Sequence, residues 1–202
     1  MFGNPALNSL IIAEFKTKSQ NKEAKKMCVS QKLVLTLLIV ILAFLFPACS
    51  HVVVPRGPIP VKMEVVGPIN VNKEISLGNG VTESKLTLIG TKGRHKWFGD
   101  FMVWTSFIVS QLENELKSRG VQVKSESQDH FRVRVESVGL YWGFAAQRCI
   151  VLARVEKKDG TWSKAYEGNN ASGNLYRAID GAVHKVVVAI LQDKDFINAI
   201  SR

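Results

Sequence analysis

Cysteine is scarce in this 202-residue chain: Cys28, Cys49 and Cys149 are the three present, and no two form a CxxC pair. That spacing excludes a dithiol redox motif and a cysteine-built zinc ribbon. Histidine is almost as sparse, with His51, His95, His130 and His184 scattered and no HExxH or HxH among them, so no metal site is expected. A GxSxG nucleophile elbow is also missing. The run "GNGVTESK" at 78–85 has the glycines of a phosphate loop but neither the GK[ST] ending nor a helix behind it. Its Asn79-Gly80 is expected to be a hairpin turn instead. No repeat of period 20–50 is visible. The chain is therefore expected not to be an enzyme, to carry no cofactor and to hold no metal; an envelope hydrolase or transferase remains as a rival reading.

Charge is missing from one long stretch. From Leu33 to Phe46 every residue but Thr36 is apolar, behind Lys32 and ahead of Pro47-Ala48-Cys49. Fourteen positions fall short of the roughly 20 that span a bilayer. A short apolar core behind a basic residue, closed by small residues, is the pattern of a secretory signal. The end of this one, "LFPAC", resembles the lipobox of bacterial lipoproteins, whose cysteine is diacylated and then exposed by cleavage. Phe46 and Pro47 depart from the aliphatic and small residues usual there. Pro47 breaks the helix and presents the following bond extended.

Thirty-two residues ahead of the core are too many for a signal, whereas "MCVSQK" is of ordinary length. Residues 1–26 are therefore expected to be a misread extension, with translation starting at Met27 and a lipoprotein signal peptide over 27–48. Cleavage removes Cys28 and acylation (palmitate-type chains) consumes Cys49. Cys149, in the strand-like "QRCIVLARV", is left as a lone buried thiol. The alternative is an uncut, single-pass signal anchor extended by "HVVV".

Residues 49–60 contain Pro55, Pro58 and Pro60, a density that predicts an extended tether between the lipidated cysteine and a single domain over 61–202. "VKMEVV" at 61–66 reads as a strand. "TKGRHKWFGD" at 91–100 reads as a basic loop. The next run, to Gly120, places Phe101, Trp104, Ile108, Leu112 and Leu116 on one helical stripe, with Asp100 as cap and Glu113–Lys117 as an i,i+4 pair. "FRVRVESVGLYW" alternates with Phe131, Val133 and Val135 in one phase and Val138, Leu140 and Trp142 in the other, which predicts a β-bulge near Glu136–Ser137. A strand pair turning at Lys158-Asp159-Gly160 follows. The last helix buries Leu175, Ile179, Ala182, Val183, Val186, Ile190 and Leu191. Together these elements predict an α+β two-layer sandwich: a mainly antiparallel sheet with two helices on one face, preceded by the signal or anchor segment.

Charge of the mature part, with 21 Lys/Arg against 15 Asp/Glu from Cys49 onward, is moderately basic and spread out. It gives attraction to anionic surfaces without the clustered stripe of a nucleic-acid groove, and no nucleic-acid partner is expected. Two features stand above that background. Lys92, Arg94 and Lys96, with His95 between them, are candidates for contact with lipid phosphates or an acidic partner; the same residues also read as an ordinary exposed loop. Tyr141, Trp142 and Phe144 surround Gly143 and are candidates for an aromatic contact at a hairpin tip; packing at a strand end accounts for them equally well.

The helix-to-strand run "QLENELKSRGVQV", the strand "FRVRVESV" and the closing helix "AIDGAVHKVVVAILQD" resemble small bacterial envelope lipoproteins of the YajG type. Their layout is also similar to the TolB amino-terminal domain and to the lipopolysaccharide-assembly lipoprotein LptE. The resemblance implies a non-catalytic binding, assembly or accessory factor of the cell envelope. It would be lipid-anchored through Cys49, would face the periplasm and would have a protein partner there. Ser50 lacks the aspartate that retains such proteins in the inner membrane of enteric bacteria, so an outer-membrane location is expected.

Overall fold

A computed structural model describes residues 36–37 and 49–201. The expected start at Met27 and the signal peptide fall on residues outside these, apart from residues 36–37; of the uncut anchor over 33–54, the described part from residue 49 holds a strand at Ser50–Val52 and a buried Val53. From Cys49 the elements are β1 (Ser50–Val52), β2 (Glu74–Asn79), β3 (Leu86–Lys92), β4 (His95–Asp100), α1 (Phe101–Ser118), β5 (Gln122–Lys124), β6 (Asp129–Trp142), β7 (Gln147–Lys157), β8 (Ser163–Ser172), α2 (Leu175–Gln192) and α3 (Lys194–Ser201). The chain is an α+β sandwich.

Its main sheet has five strands in the order β5-β2-β6-β7-β8, and a smaller sheet has the order β1-β4-β3. The β6–β7–β8 meander is antiparallel, whereas β2 runs parallel to both β5 and β6. Along β6 the register slips once: Val135 pairs with Ala153 and Ser137 with Leu152, leaving Glu136 as the bulged residue. The slip keeps the apolar residues on the inner face. Phe131, Val133 and Val135 are buried before it, and Val138 and Leu140 after it.

Two helices cover that face. α1 opens on Asp100, whose carboxylate accepts from the Met102 N–H at 2.9 Å, and buries Trp104, Ile108, Leu112 and Leu116. Gly120, at φ 92°, turns the chain out of α1 in a conformation that a side chain would strain. α2 opens on Asn174 and buries Ile179, Ala182, Val183, Val186, Ile190 and Leu191. It lies so close to β8 that a methyl group on Gly168 would stand 2.0 Å from the Ala182 carbonyl oxygen, so only glycine permits the approach. The third helix, α3, was not foreseen; Asp193 accepts from the Asp195 and Phe196 N–H groups at its start, and Phe196 and Ile200 are buried.

Three expectations change. Asn79-Gly80 is not a hairpin turn, because β2 and β3 belong to different sheets. Instead the Gly80 N–H prolongs the β2–β6 ladder to the Val133 carbonyl, 2.7 Å away. The Asn79 amide donates to the Met102 carbonyl and to Ser106 on α1. Residues 61–66 form no strand; the Val65 and Val66 N–H groups turn back to the Lys62 carbonyl, and the two ends of the segment are held at the end of α1. The guanidinium of Arg119 is ion-paired with Glu115, and it also donates to the carbonyls of Val61 (2.8 Å) and Val66 (3.3 Å). The Val61 N–H donates in turn to Glu115 Oε1 at 2.8 Å.

The third change concerns the proline-rich segment, which is extended but not a free tether. The Val53 carbonyl accepts from the Trp104 indole at 3.1 Å, and the Ile59 carbonyl from both Gln111 (2.8 Å) and His184 (2.9 Å). Arg56 lies over the Tyr176 ring, 3.2 Å from its centre, and its N–H donates to Asp180. Prolines that cannot donate to a sheet still leave their neighbours' carbonyls free, and α1 and α2 satisfy those. The folded body consequently starts at β1, not near Val61.

Candidate functional site

The residues 91–96 belong to a hairpin, not a loop. β3 and β4 pair up to Lys92–His95 across a two-residue turn, Gly93-Arg94, with Gly93 at φ 59°. Lys92, Arg94, His95 and Lys96 are all exposed at this tip. A second turn, 143–146, joins β6 to β7 and is closed by the Gly143 N–H donating to the Ala146 carbonyl at 2.8 Å. At it, Tyr141 is exposed and Phe144 wholly so. Trp142 differs from its two neighbours. It follows the inner-face phase of Leu140, is half-buried, and packs on Trp97 of β4 with ring centres 4.2 Å apart.

That contact joins the two sequence candidates. Gly90 of β3 backs directly onto β6, where a methyl group would sit 2.8 Å from Leu140 and from the Trp142 ring. Lys92 is two residues beyond Gly90, and Phe144 two beyond Trp142, so the basic tip and the aromatic tip occupy one end of the fold. Shallow grooves of about 630 Å³, between β3 and the end of β6, and about 520 Å³, beside Tyr141, Phe144 and Arg148, open there.

Cys49 arrives at the same end. β1 runs parallel to β4 with Ser50 opposite Lys96, and the Lys96 N–H donates to the Cys49 carbonyl at 2.9 Å. Cys49 is exposed. Two residues on, His51 stacks on Trp97 at 5.2 Å and hydrogen-bonds His95 through a 2.9 Å Nε2–Nδ1 contact. One imidazole donates and the other accepts, so at least one ring is neutral in this arrangement. His51 and His95 thus fasten the first strand to the basic hairpin, a role that scattered histidines in a sequence do not announce.

Cys149 is buried on the inner face of β7. Burial, reinforced by Asp180, pushes its thiol up to about 12, which leaves it without thiolate at neutral pH. Elsewhere polar groups cluster for structural ends. The Tyr166 hydroxyl donates to Asp193 at 2.6 Å and Lys164 bridges Asp193 and Asp195, tying β8 to the start of α3. Burial, and the negative charge of Asp193 and Asp195, raise the Tyr166 phenol. Among the described residues no three His, Cys, Asp or Glu side chains are grouped to hold a metal. No described helix is long and apolar enough to cross a membrane.

No family model matches the chain, and no curated protein does. One solved structure, titled "Crystal structure of uncharacterized protein", is similar over 76% of this chain and 94% of its own length, at 10% identity and a TM-score of 0.28. A likeness so distant carries no argument.

Proposed function

We propose that the protein is a lipoprotein of the bacterial envelope, held by acyl chains on Cys49, and that its domain is a non-catalytic binding or assembly factor of the YajG type. The observation that carries the reading is the position of Cys49. It follows a signal-like apolar run in sequence, is exposed, and precedes the first strand directly, so its thiol can be modified without opening the fold. Two acyl chains anchor stably where one does not, since each buried CH₂ contributes about 0.8 kcal/mol. An outer-membrane location follows from Ser50 by the same analogy, and the partner is an envelope protein.

Replacing Cys49 tests this. In cells, Cys49→Ser should accumulate as a larger, unprocessed precursor, and the intact mass of the wild-type chain should show Cys49 at the amino terminus with its acyl groups. A variant that is cut normally and released would refute the anchor.

A further inference from the structure

We infer that the end of the sandwich carrying Cys49 is a bilayer-docking face: the β3–β4 and β6–β7 tips meet the anionic headgroups of the membrane in which the cysteine is anchored. The inference rests on the lipid reading of Cys49 and goes beyond it. The proline-rich segment lies after β1 and is clasped by α1 and α2. One peptide separates Cys49 from β1, and the Cys49 carbonyl is already bonded to Lys96. Neighbouring strands lie roughly 4.8 Å apart, so a sulfur whose chains enter the acyl layer brings the hairpin tip into the headgroup layer.

The chemistry of that end suits such a surface. The segments meeting there, 49–63, 86–99, 137–155 and 168–179, contain no aspartate or glutamate, whereas Lys92, Arg94, Lys96 and Arg148 lie at or beside the tips. Asp129, Asp159, Asp193 and Asp195 are at the opposite end of the meander or at the start of α3, each in an ion pair with lysine, and Asp180 of α2, near Cys149, accepts from the Arg56 N–H. Phosphodiester headgroups complement this asymmetry. Phe144 supplies the apolar part. A wholly exposed phenylalanine, next to exposed Tyr141 on the same turn, gains from the interfacial zone what it cannot gain in water. The Trp97–Trp142 contact keeps the two tips level, so that charge and ring reach the surface together.

The test uses the full chain extracted from bacterial membranes and reconstituted in vesicles of phosphatidylcholine, with or without phosphatidylglycerol. Intact mass first reports whether Cys49 carries lipid, which decides the anchor separately. In the acylated protein Cys49 is blocked and Cys149 is buried, so Phe144→Cys offers one site for a polarity-sensitive fluorophore. Asp159→Cys, in the turn at the far end of β7, serves as control. The expected result is a blue-shifted emission at position 144, quenched by brominated lipid, with position 159 reporting water. Identical aqueous signals at both positions in a chain of confirmed acylation overturn the docking face while leaving the anchor intact. If the mass shows no lipid, co-flotation of the same chain with anionic vesicles still decides the surface. Replacing Lys92, Arg94 and Lys96 by Gln should weaken that binding on the order of a hundred-fold at low salt, and less as salt rises. Equal binding by the triple variant and wild type at low salt overturns it.

Discussion

Trp97 and Trp142 pack at a tilt across the gap between the two sheets, with ring centres 4.2 Å apart. One comes from a strand of the small sheet and the other from the last residue of β6, and their contact adds to the close approach of Gly90 to β6 in joining the hairpin to the aromatic turn. Tilted aromatic pairs contribute about 0.5–1.5 kcal/mol beyond the area they bury. Trp142→Ala should therefore destabilise the domain by roughly 2–4 kcal/mol in urea unfolding and diminish the near-ultraviolet circular dichroism of the indoles. A loss under roughly 1 kcal/mol would show that the sheets are held together elsewhere.

Glu115 and Arg119 hold the 61–66 segment through three hydrogen bonds to its backbone, and Arg119 also donates to the Glu115 carbonyl. Removing one partner of a buried pair strands the other charge, so Arg119→Met should cost about 3–5 kcal/mol. Adding Glu115→Leu should recover only part of this, because the carbonyls of Val61 and Val66 and the Val61 N–H stay without their partners. Full recovery in the double variant, read by thermal unfolding, would mean that the pair does not clasp the segment.

The phase of α1 makes adjacent residues behave differently. Leu112 is fully buried, whereas Glu113 is half-buried and pairs with Lys117 at 3.9 Å on the wet side. Leu112→Ala should cost about 2–5 kcal/mol, and Glu113→Ala no more than about 0.5 kcal/mol. Equal sensitivity at the two positions would contradict the helix orientation.

Acid should weaken the fold through His130. Desolvation first, then the nearby charges of Lys158 and Arg132, depress this imidazole below its ordinary 6.5. Its Nδ1 also bonds Ser76 at 2.8 Å. An unfolded chain takes up the proton more readily than the folded one, so this contribution is intact above pH 6.5 and is lost as pH falls through the lower folded value. His130→Gln should flatten the stability profile below pH 6.5 relative to wild type, as followed by urea midpoints. Parallel profiles would remove His130 as the cause.

What could be read in advance was local. The stripe Trp104–Ile108–Leu112–Leu116 and the apolar face of α2 follow from 3.6-residue periodicity. Asp100 as a cap follows from a short polar side chain within reach of Met102 N–H, and the Lys158–Gly160 turn from its glycine. Even the bulge at Glu136 was legible, since shifting inward residues from odd to even numbers requires one extra residue. The lipid and contact residues were legible as types, Cys49 after an apolar run and basic or aromatic residues around glycine, but not as neighbours.

Misreadings arose where distant partners decide. Asn79-Gly80 has the dipeptide of a hairpin, yet β6 and α1 already occupy its hydrogen-bonding groups, so the strand after it joins another sheet. Residues 61–66 carry strand-forming valines, but Arg119 and Glu115 take the backbone groups at the two ends. Proline density at 55–60 predicts extension correctly and says nothing of the carbonyls that Gln111, His184 and Trp104 reach.

Sequence by itself therefore determined the two long helices, their buried faces, the long meander and its bulge, because the interactions that set them lie within a few residues or one strand pairing. Only the tertiary structure decided that β1 pairs parallel to β4, that the proline-rich segment is clasped, and that Cys49, Lys96, Trp97, Trp142 and Phe144 share one end. Those relations depend on closing loops of some forty residues or more (Ser50 to Lys96, Trp97 to Trp142), and the free energy that closes them comes from burial summed over the whole core, which no local pattern encodes.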